Sequence, residues 1–212
     1  IRNCDWSSDV CSSDLRELVE GLLAEERQLN RYVEAISAMA GSEGRLMGPG
    51  APQPLLLPPT LSGPEGERLA DAVAPLLQRA AATAALSTRP WSAPQPLPDW
   101  RGDCGAVAEI LANLLENAFR YSGPQAPVGL HLDPDPRGGL RLSVWDGGPQ
   151  IPEAERERIF QRGQRGSTGG QRPGTGLGLA LARYLARGLG GELELLVPPR
   201  RIAPDLPAEG NA

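Results

Sequence analysis

From about Gly105 to Tyr121 the chain can only be a helix with two unlike faces. Val107, Ile110, Leu111, Leu114 and Ala118 recur at helical spacing and make an apolar side. Residues four apart lie about 40° apart around a helix axis. Asn113, Asn117 and Arg120 therefore share a narrow polar face, with Glu109 and Glu116 beside them. Asp103 stands where an N-cap is needed. Asn is a poor helix former, so two of them in mid-helix are better tolerated when something coordinates them. A carboxamide oxygen is a hard donor that suits Mg²⁺. A plain solvated face is the simpler alternative.

Strand periodicity follows. Val128–Leu132 and Leu140–Asp146 alternate, and the Pro- and Gly-rich spacer between them reads as a hairpin connection. Asp146 closes the second run and is followed by Gly147 and Gly148. A carboxylate there can accept a hydrogen bond from an exocyclic adenine amine, and glycines let a backbone approach a planar ring. The same string is also an ordinary turn. Further on, Gly174-Thr-Gly176-Leu-Gly178-Leu opens an apolar helix over 177–189. The amides at a helix start favour an anion. The dinucleotide fingerprint is not met, because its sixth position is Leu179 and no strand runs directly into the loop.

Composition removes several chemistries. All 21 basic residues are Arg, which excludes a Walker A lysine and a Schiff base. Three cysteines and a single histidine, His131, make neither a usual zinc site nor a disulfide framework. His131 lies in a strand-like run and reads as structural. Net charge is −5 and the longest basic run is Arg200-Arg201, which gives nucleic acid no footing as a partner. No stretch is long and apolar enough to span a bilayer.

The remaining segments divide the chain. Residues 1–14 lack periodicity, repeat Ser-Ser-Asp, and resemble translated adapter DNA; they are set aside as non-native. Over 15–40, Leu15, Leu18, Leu22, Leu29, Tyr32, Ile36 and Met39 follow heptad spacing, broken at Glu25. That seam suits either packing on its own domain or half of a dimerising hairpin. Residues 41–64 read as a Pro/Gly-rich linker and 67–86 as a helix. Residues 90–98, with alternate prolines, can be only an edge strand or a loop. A short polar helix is expected over 151–160, a mobile loop over 161–173, a last strand over 192–197 and a disordered tail over 198–212.

Taken in order, Asn-Leu-Leu-x-Asn-Ala-x-Arg-Tyr, Asp-x-Gly, Ile-Phe-x-x-x-x-Arg and Gly-Thr-Gly-Leu-Gly-Leu resemble the N, G1, F and G2 boxes of the ATP-binding domain of sensor histidine kinases, in the GHKL superfamily. The resemblance covers the expected domain over 65–197. It implies an α/β (α+β) two-layer sandwich of the Bergerat type, with a mixed, mostly antiparallel sheet covered on one face by helices. It also implies ATP and Mg²⁺ as cofactors. Asn117 would bind the metal, and Asn113 and Arg120 would approach the phosphates as the catalytic pair. Asp146 would hold the adenine amine. Gly174, Gly176 and Gly178 would wrap the triphosphate under a lid over 161–173. Tyr121, Gly148, Arg165, Thr175 and Leu177 would complete the nucleotide-binding set. The 15–40 helix resembles the second helix of the kinase dimerisation hairpin.

The resemblance further implies transfer of the γ-phosphate to a histidine on a phosphoacceptor domain missing from this chain, a downstream response regulator, and a homodimeric full-length protein. The implied location is cytoplasmic, with the parent protein's membrane anchorage left open. In gyrase-like and MutL-like members, a Glu four residues before the metal-binding Asn activates water. Here that position is Asn113, which favours transfer over hydrolysis. There are departures: Gln150 replaces the second G1 glycine, Gly163 replaces the second F-box Phe, a final strand is not evident, and no His-Glu or His-Asp segment is present. A degenerate scaffolding module and an anti-sigma-type serine kinase are the alternatives.

Overall fold

The computed structural model describes residues 68–94, 96, 97, 99, 100, 102–134, 139–164, 166, 167 and 175–212, together with Val33. The expected 1–14 segment, 15–40 helix and 41–64 linker lie outside the described residues, Val33 excepted. The chain divides into two compact units, Ile1–Pro52 and Gln53–Ala212, and the site belongs to the second.

Among the described residues, three helices and three strands build this unit. Helix α1 (Leu69–Leu86) leads to a two-residue edge strand β1 (Trp91–Ser92). Helix α2 (Cys104–Tyr121) follows, then β2 (Val128–Pro134), β3 (Leu140–Asp146) and helix α3 (Gly178–Gly188). The sheet order is β1-β2-β3. Strand β1 runs parallel to β2, with Trp91 opposite Val128, and β2 runs antiparallel to β3, with Val128 opposite Asp146. Val128 thus sits between the edge strand and the residue that ends β3.

Alternation decides which side of the sheet each residue serves. Leu130 and Leu132 of β2, with Leu142 and Val144 of β3, pack beneath Leu69, Val73, Val107 and Leu111 of α1 and α2. Val128 joins Ala80, Leu115 and Ala118 in a second cluster. Leu69, Val73 and Leu111 are fully covered, and each such side chain contributes roughly 1.5–3 kcal/mol. Asp103 caps α2 as expected, accepting from the Ala106 amide at 2.9 Å.

The opposite face shows Trp145, whose indole lies over Gly129. Here the expectation of a disordered tail over 198–212 is corrected. Ala203 and Leu206 pack with Trp145 in a buried cluster that Ile202 and Ala212 adjoin. A single 3-10 turn over Pro199–Arg201 and a backbone bridge between Asp146 and Asn211 hold the segment down. A Pro-rich string reads as disordered in isolation, but an uncovered tryptophan gives it something to bury.

Two more expectations change. Residues 192–197 form no strand: along that run, among the described residues, only Leu196 exchanges backbone hydrogen bonds, and these go to Ala212. The short polar helix over 151–160 resolves into two single 3-10 turns, Glu153–Glu155 and Arg158–Phe160. The second buries Ile159 and Phe160.

Candidate nucleotide site

Helix α2 is the spine of the site. Asn113 is only 8% exposed and Glu109 only 5%, so their face is not solvated. The Asn113 carboxamide nitrogen donates to the Glu109 carbonyl at 2.9 Å and to Glu109 Oε1 at 3.4 Å. Its oxygen is aimed at the start of α3: a Cβ placed on Gly178 would lie 2.9 Å from Asn113 Oδ1. The same point is 3.9 Å from Asn117 Nδ2. Both asparagines therefore face the opening turn of α3.

Asn117 is half-buried, and among the described residues its carboxamide makes no hydrogen bond. Among those residues it is a polar group without a partner, beside a helix N-terminus. Arg120 lies nearly one turn further on and donates to Glu116 in an (i, i+4) ion pair. The expected approach of Arg120 to phosphates is thus not preformed. Tyr121 ends α2 and is half-exposed.

Leu177 stands at the N-cap of α3 and supplies no side-chain cap. The first amides of α3 are thereby left for a ligand, as at other anion-binding helix starts. Just before them Gly176 takes φ +69°, where a side chain would be strained. Its carbonyl accepts from the Gly163 amide at 3.0 Å, and a Cβ on Gly176 would lie 2.8 Å from the Gly163 carbonyl carbon. Gly163, which replaces the second F-box Phe, makes a backbone clasp with the glycine loop. Thr175 is exposed, with its hydroxyl 3.4 Å from the Leu177 amide. Arg165 and Gly174 lie outside the described residues. The turn carrying Phe160 is fastened to α3 by Arg183, whose guanidinium lies 4.7 Å from the Phe160 ring centroid. Arg183 also pairs with Glu157 at 2.9 Å and Glu192 at 2.7 Å.

Asp146 occupies the other end of α2. Its Oδ1 accepts from the Gly148 amide at 2.7 Å and from Asn211 Nδ2 at 3.3 Å. Burial pushes its carboxyl above the ordinary range, while these two hydrogen bonds and the nearby Arg89 charge pull it back in part. Gly148 is pressed against the end of α2: a Cβ there would lie 2.5 Å from Ser122 Cα. The glycine thus fits its own protein as tightly as it would fit a ligand ring.

Sequence reasoning missed three supporting residues. Arg89 is 8% exposed. It donates to Ser122 Oγ at 2.8 Å and to the Gly123 carbonyl, and lies 5.1 Å from the Phe119 ring centroid. It ties the C-terminal end of α2 to the β1 edge, at the cost of a buried Nε with no partner among the described residues. Ser122 returns its own hydroxyl to the Ala118 carbonyl at 2.6 Å. Asn211 reaches the Asp146 loop from the far end of the chain. A lone Arg before Pro90 was a faint signal for Arg89; Asn211 had none. His131, read as structural, pairs with Asp133 at 2.9 Å.

The parts form a line. Ser122, against the Asp146 loop, is nine residues from Asn113, against the α3 start, which is roughly 13 Å of helix. A carboxylate that can take an amine sits at one end. Unfilled amides and two carboxamides sit at the other. Among the described residues no group of three His, Cys, Asp or Glu side chains could hold a metal. The Asn117 carboxamide fits the way Mg²⁺ is held on nucleotides, by one or two protein oxygens with phosphates and waters supplying the rest.

The chain is similar to known proteins of one family. The family described as histidine kinase-, DNA gyrase B-, and HSP90-like ATPase matches residues 102–209. The sensor protein KdpD of Escherichia coli is 35% identical over 128 residues, 54% of this chain and 14% of its own length. The sensor histidine kinase Hik2 of Thermosynechococcus vestitus is 33% identical over 187 residues, 86% of this chain and 46% of its own. The chain therefore spans less than half the length of these curated relatives. Among solved structures, the mycobacterial sensor histidine kinase MprB aligns with TM-score 0.58 and 26% identity, covering 69% of this chain and 93% of that one.

Proposed function

Because the chain belongs to the histidine kinase-, DNA gyrase B- and HSP90-like ATPase family, we propose that this ATP-binding domain holds Mg-ATP along α2 and donates its γ-phosphate to a histidine on a separate phosphoacceptor segment. The observation that carries the site assignment is the alignment of Asp146, Asn117 and the uncapped start of α3 along one helix. Asp146 takes the adenine amine. The α3 amides and the Gly176–Gly178 backbone receive the phosphates, and Asn117 would hold the metal. Magnesium, when bound, neutralises phosphate charge. Arg120, on the same helix and paired with Glu116, would turn to the phosphate end.

Transfer is favoured over hydrolysis by Asn113. Its amide nitrogen is committed to Glu109, and a carboxamide cannot deprotonate water. With no base in that position, catalysis rests on positioning and charge neutralisation. The kinship with sensor kinases supports a response regulator as the final acceptor and a homodimeric full-length protein, to which residues 15–40 would contribute a hairpin helix. No helix among the described residues is long and apolar enough to cross a membrane.

The test is to incubate the chain with γ-labelled Mg-ATP and a separately made histidine-bearing kinase hairpin. Label on the hairpin that survives base and is lost in acid is expected. Release of labelled phosphate alone would make the chain a hydrolase. Binding or dimerisation with no phosphate turnover would favour a scaffold.

A further inference from the structure

The Asp146 loop is held by a residue far away in sequence. Asn211 is 7% exposed, and its carboxamide is fully engaged. The oxygen accepts from the Ile151 amide at 2.9 Å. The nitrogen donates to the Pro149 carbonyl at 2.9 Å and to Asp146 Oδ1 at 3.3 Å. Its backbone exchanges two further hydrogen bonds with Asp146, both 2.9 Å. Gly210, just before it, lies against the Asp146 carbonyl.

Two consequences follow. First, the partners Pro149 and Ile151 flank Gln150, the residue standing where the resemblance expects a second loop glycine. The side chain of Asn211 bridges the backbone on both sides of that position and fixes the turn without the glycine. Second, both hydrogen bonds to the Asp146 carboxylate among the described residues fall on Oδ1. A carboxylate gripped at one oxygen presents the other in a set direction.

We propose that Asn211 is a positioning residue for base recognition: it orients the Asp146 carboxylate so that Oδ2 meets an exocyclic amine, and thereby sets the preference for adenine over a base carrying a carbonyl oxygen there. The inference rests on the nucleotide reading above. Burying an amide that satisfies three polar groups at once makes the arrangement costly to leave incomplete, so loss of the side chain is felt at Asp146 first.

The test uses the whole chain as wild type, Asn211→Ala and Asn211→Ser, titrated with Mg-ATP and with Mg-ITP, which has an oxygen in place of the amine. Wild type is expected to prefer ATP. In Asn211→Ala, ATP affinity falls about tenfold, the worth of a charge-assisted hydrogen bond, while ITP affinity stays level and the preference collapses. Asn211→Ser keeps the backbone bridge but cannot span Pro149 and Ile151, and gives the same result should the alanine variant fail to fold. The Asp146 carboxyl resonance, followed by NMR against pH, moves upward in both variants. An unchanged ATP-to-ITP ratio, or both affinities falling together with thermal stability, overturns the inference while leaving the nucleotide site standing. Wild type that binds neither nucleotide overturns the site itself, and this inference with it.

Discussion

Replacing Gly148 with Ala tests the packing that fixes the adenine end of the site. The new Cβ would lie 2.5 Å from Ser122 Cα, 2.9 Å from Ser122 Cβ and 2.7 Å from Asp146 Oδ1. Carbon–carbon contact is comfortable only near 3.5–4.0 Å, so about 1 Å must be found. Ser122 cannot supply it. Its hydroxyl is bonded to the Ala118 carbonyl at 2.6 Å and to Arg89 at 2.8 Å. The loop must move outward instead, and the 2.7 Å bond from the Gly148 amide to Asp146 is broken. Overpacking costs about 1–3 kcal/mol and the lost bond to a charged group about 1.5–3 kcal/mol. The stiffer unfolded chain returns about 0.4–1 kcal/mol. A net loss of about 2–5 kcal/mol follows, which lowers Tm by roughly 5–15 °C in a chain of this size. Thermal unfolding by circular dichroism, with titration of a fluorescent ATP analogue on the folded fraction, reads both effects. Gly191→Ala is the control, since its Cβ would meet nothing closer than the Ala186 carbonyl oxygen at 3.4 Å. A Gly148→Ala protein with Tm within about a degree of wild type and unchanged affinity would refute the reasoning.

The other predictions concern charge and metal. An ionised Asp146 accepts from an amine more strongly than a protonated one, and burial first of all raises its pKa. ATP affinity should therefore weaken as pH falls through a midpoint above the ordinary Asp value, a dependence absent from Asp146→Asn; binding that is flat with pH down to 4, about the ordinary Asp pKa, would contradict this. Glu192 is desolvated, which raises its pKa, but hydrogen bonds from Arg187, Arg183 and the Leu193 amide outweigh that and bring it down to about 2. A depressed carboxyl stabilises the fold above its unfolded pKa and loses that contribution as pH falls through the folded value. Glu192→Gln should thus lower stability at neutral pH, by under about 1 kcal/mol for so exposed a group, and the gap should close as pH approaches 2; chemical denaturation across pH reads it. Asn117→Ala should weaken nucleotide binding with Mg²⁺ present and much less with EDTA, measured by the same analogue; equal losses in both would deny Asn117 the metal.

The spine of the fold was legible because its signals are local. Asp103 caps the helix it precedes, and the Val107–Ala118 stripe repeats every turn. The two strand runs alternate, and β3 ends at Asp146 as read. Asn113 and Asn117 stood out because mid-helix asparagines are costly. What could not be read depends on partners distant in sequence. The 198–212 segment orders on Trp145, more than fifty residues earlier. Asn211 acquires meaning only where it meets the loop at Pro149 and Ile151. Gly163 stands where the resemblance has a Phe, and its contact with Gly176 could not be read because it is made by backbone. Arg89 is an unremarkable cation until Ser122 and Gly123 come to lie against it.

Isothermal titration calorimetry of Mg-ATP into the wild-type chain and Asp146→Ala tests the central claim most directly. The account predicts saturable one-to-one binding by wild type that is lost in Asp146→Ala while thermal unfolding stays cooperative. Equal heats from both proteins, or none from wild type at millimolar nucleotide, the weak end of nucleotide affinities, would contradict it.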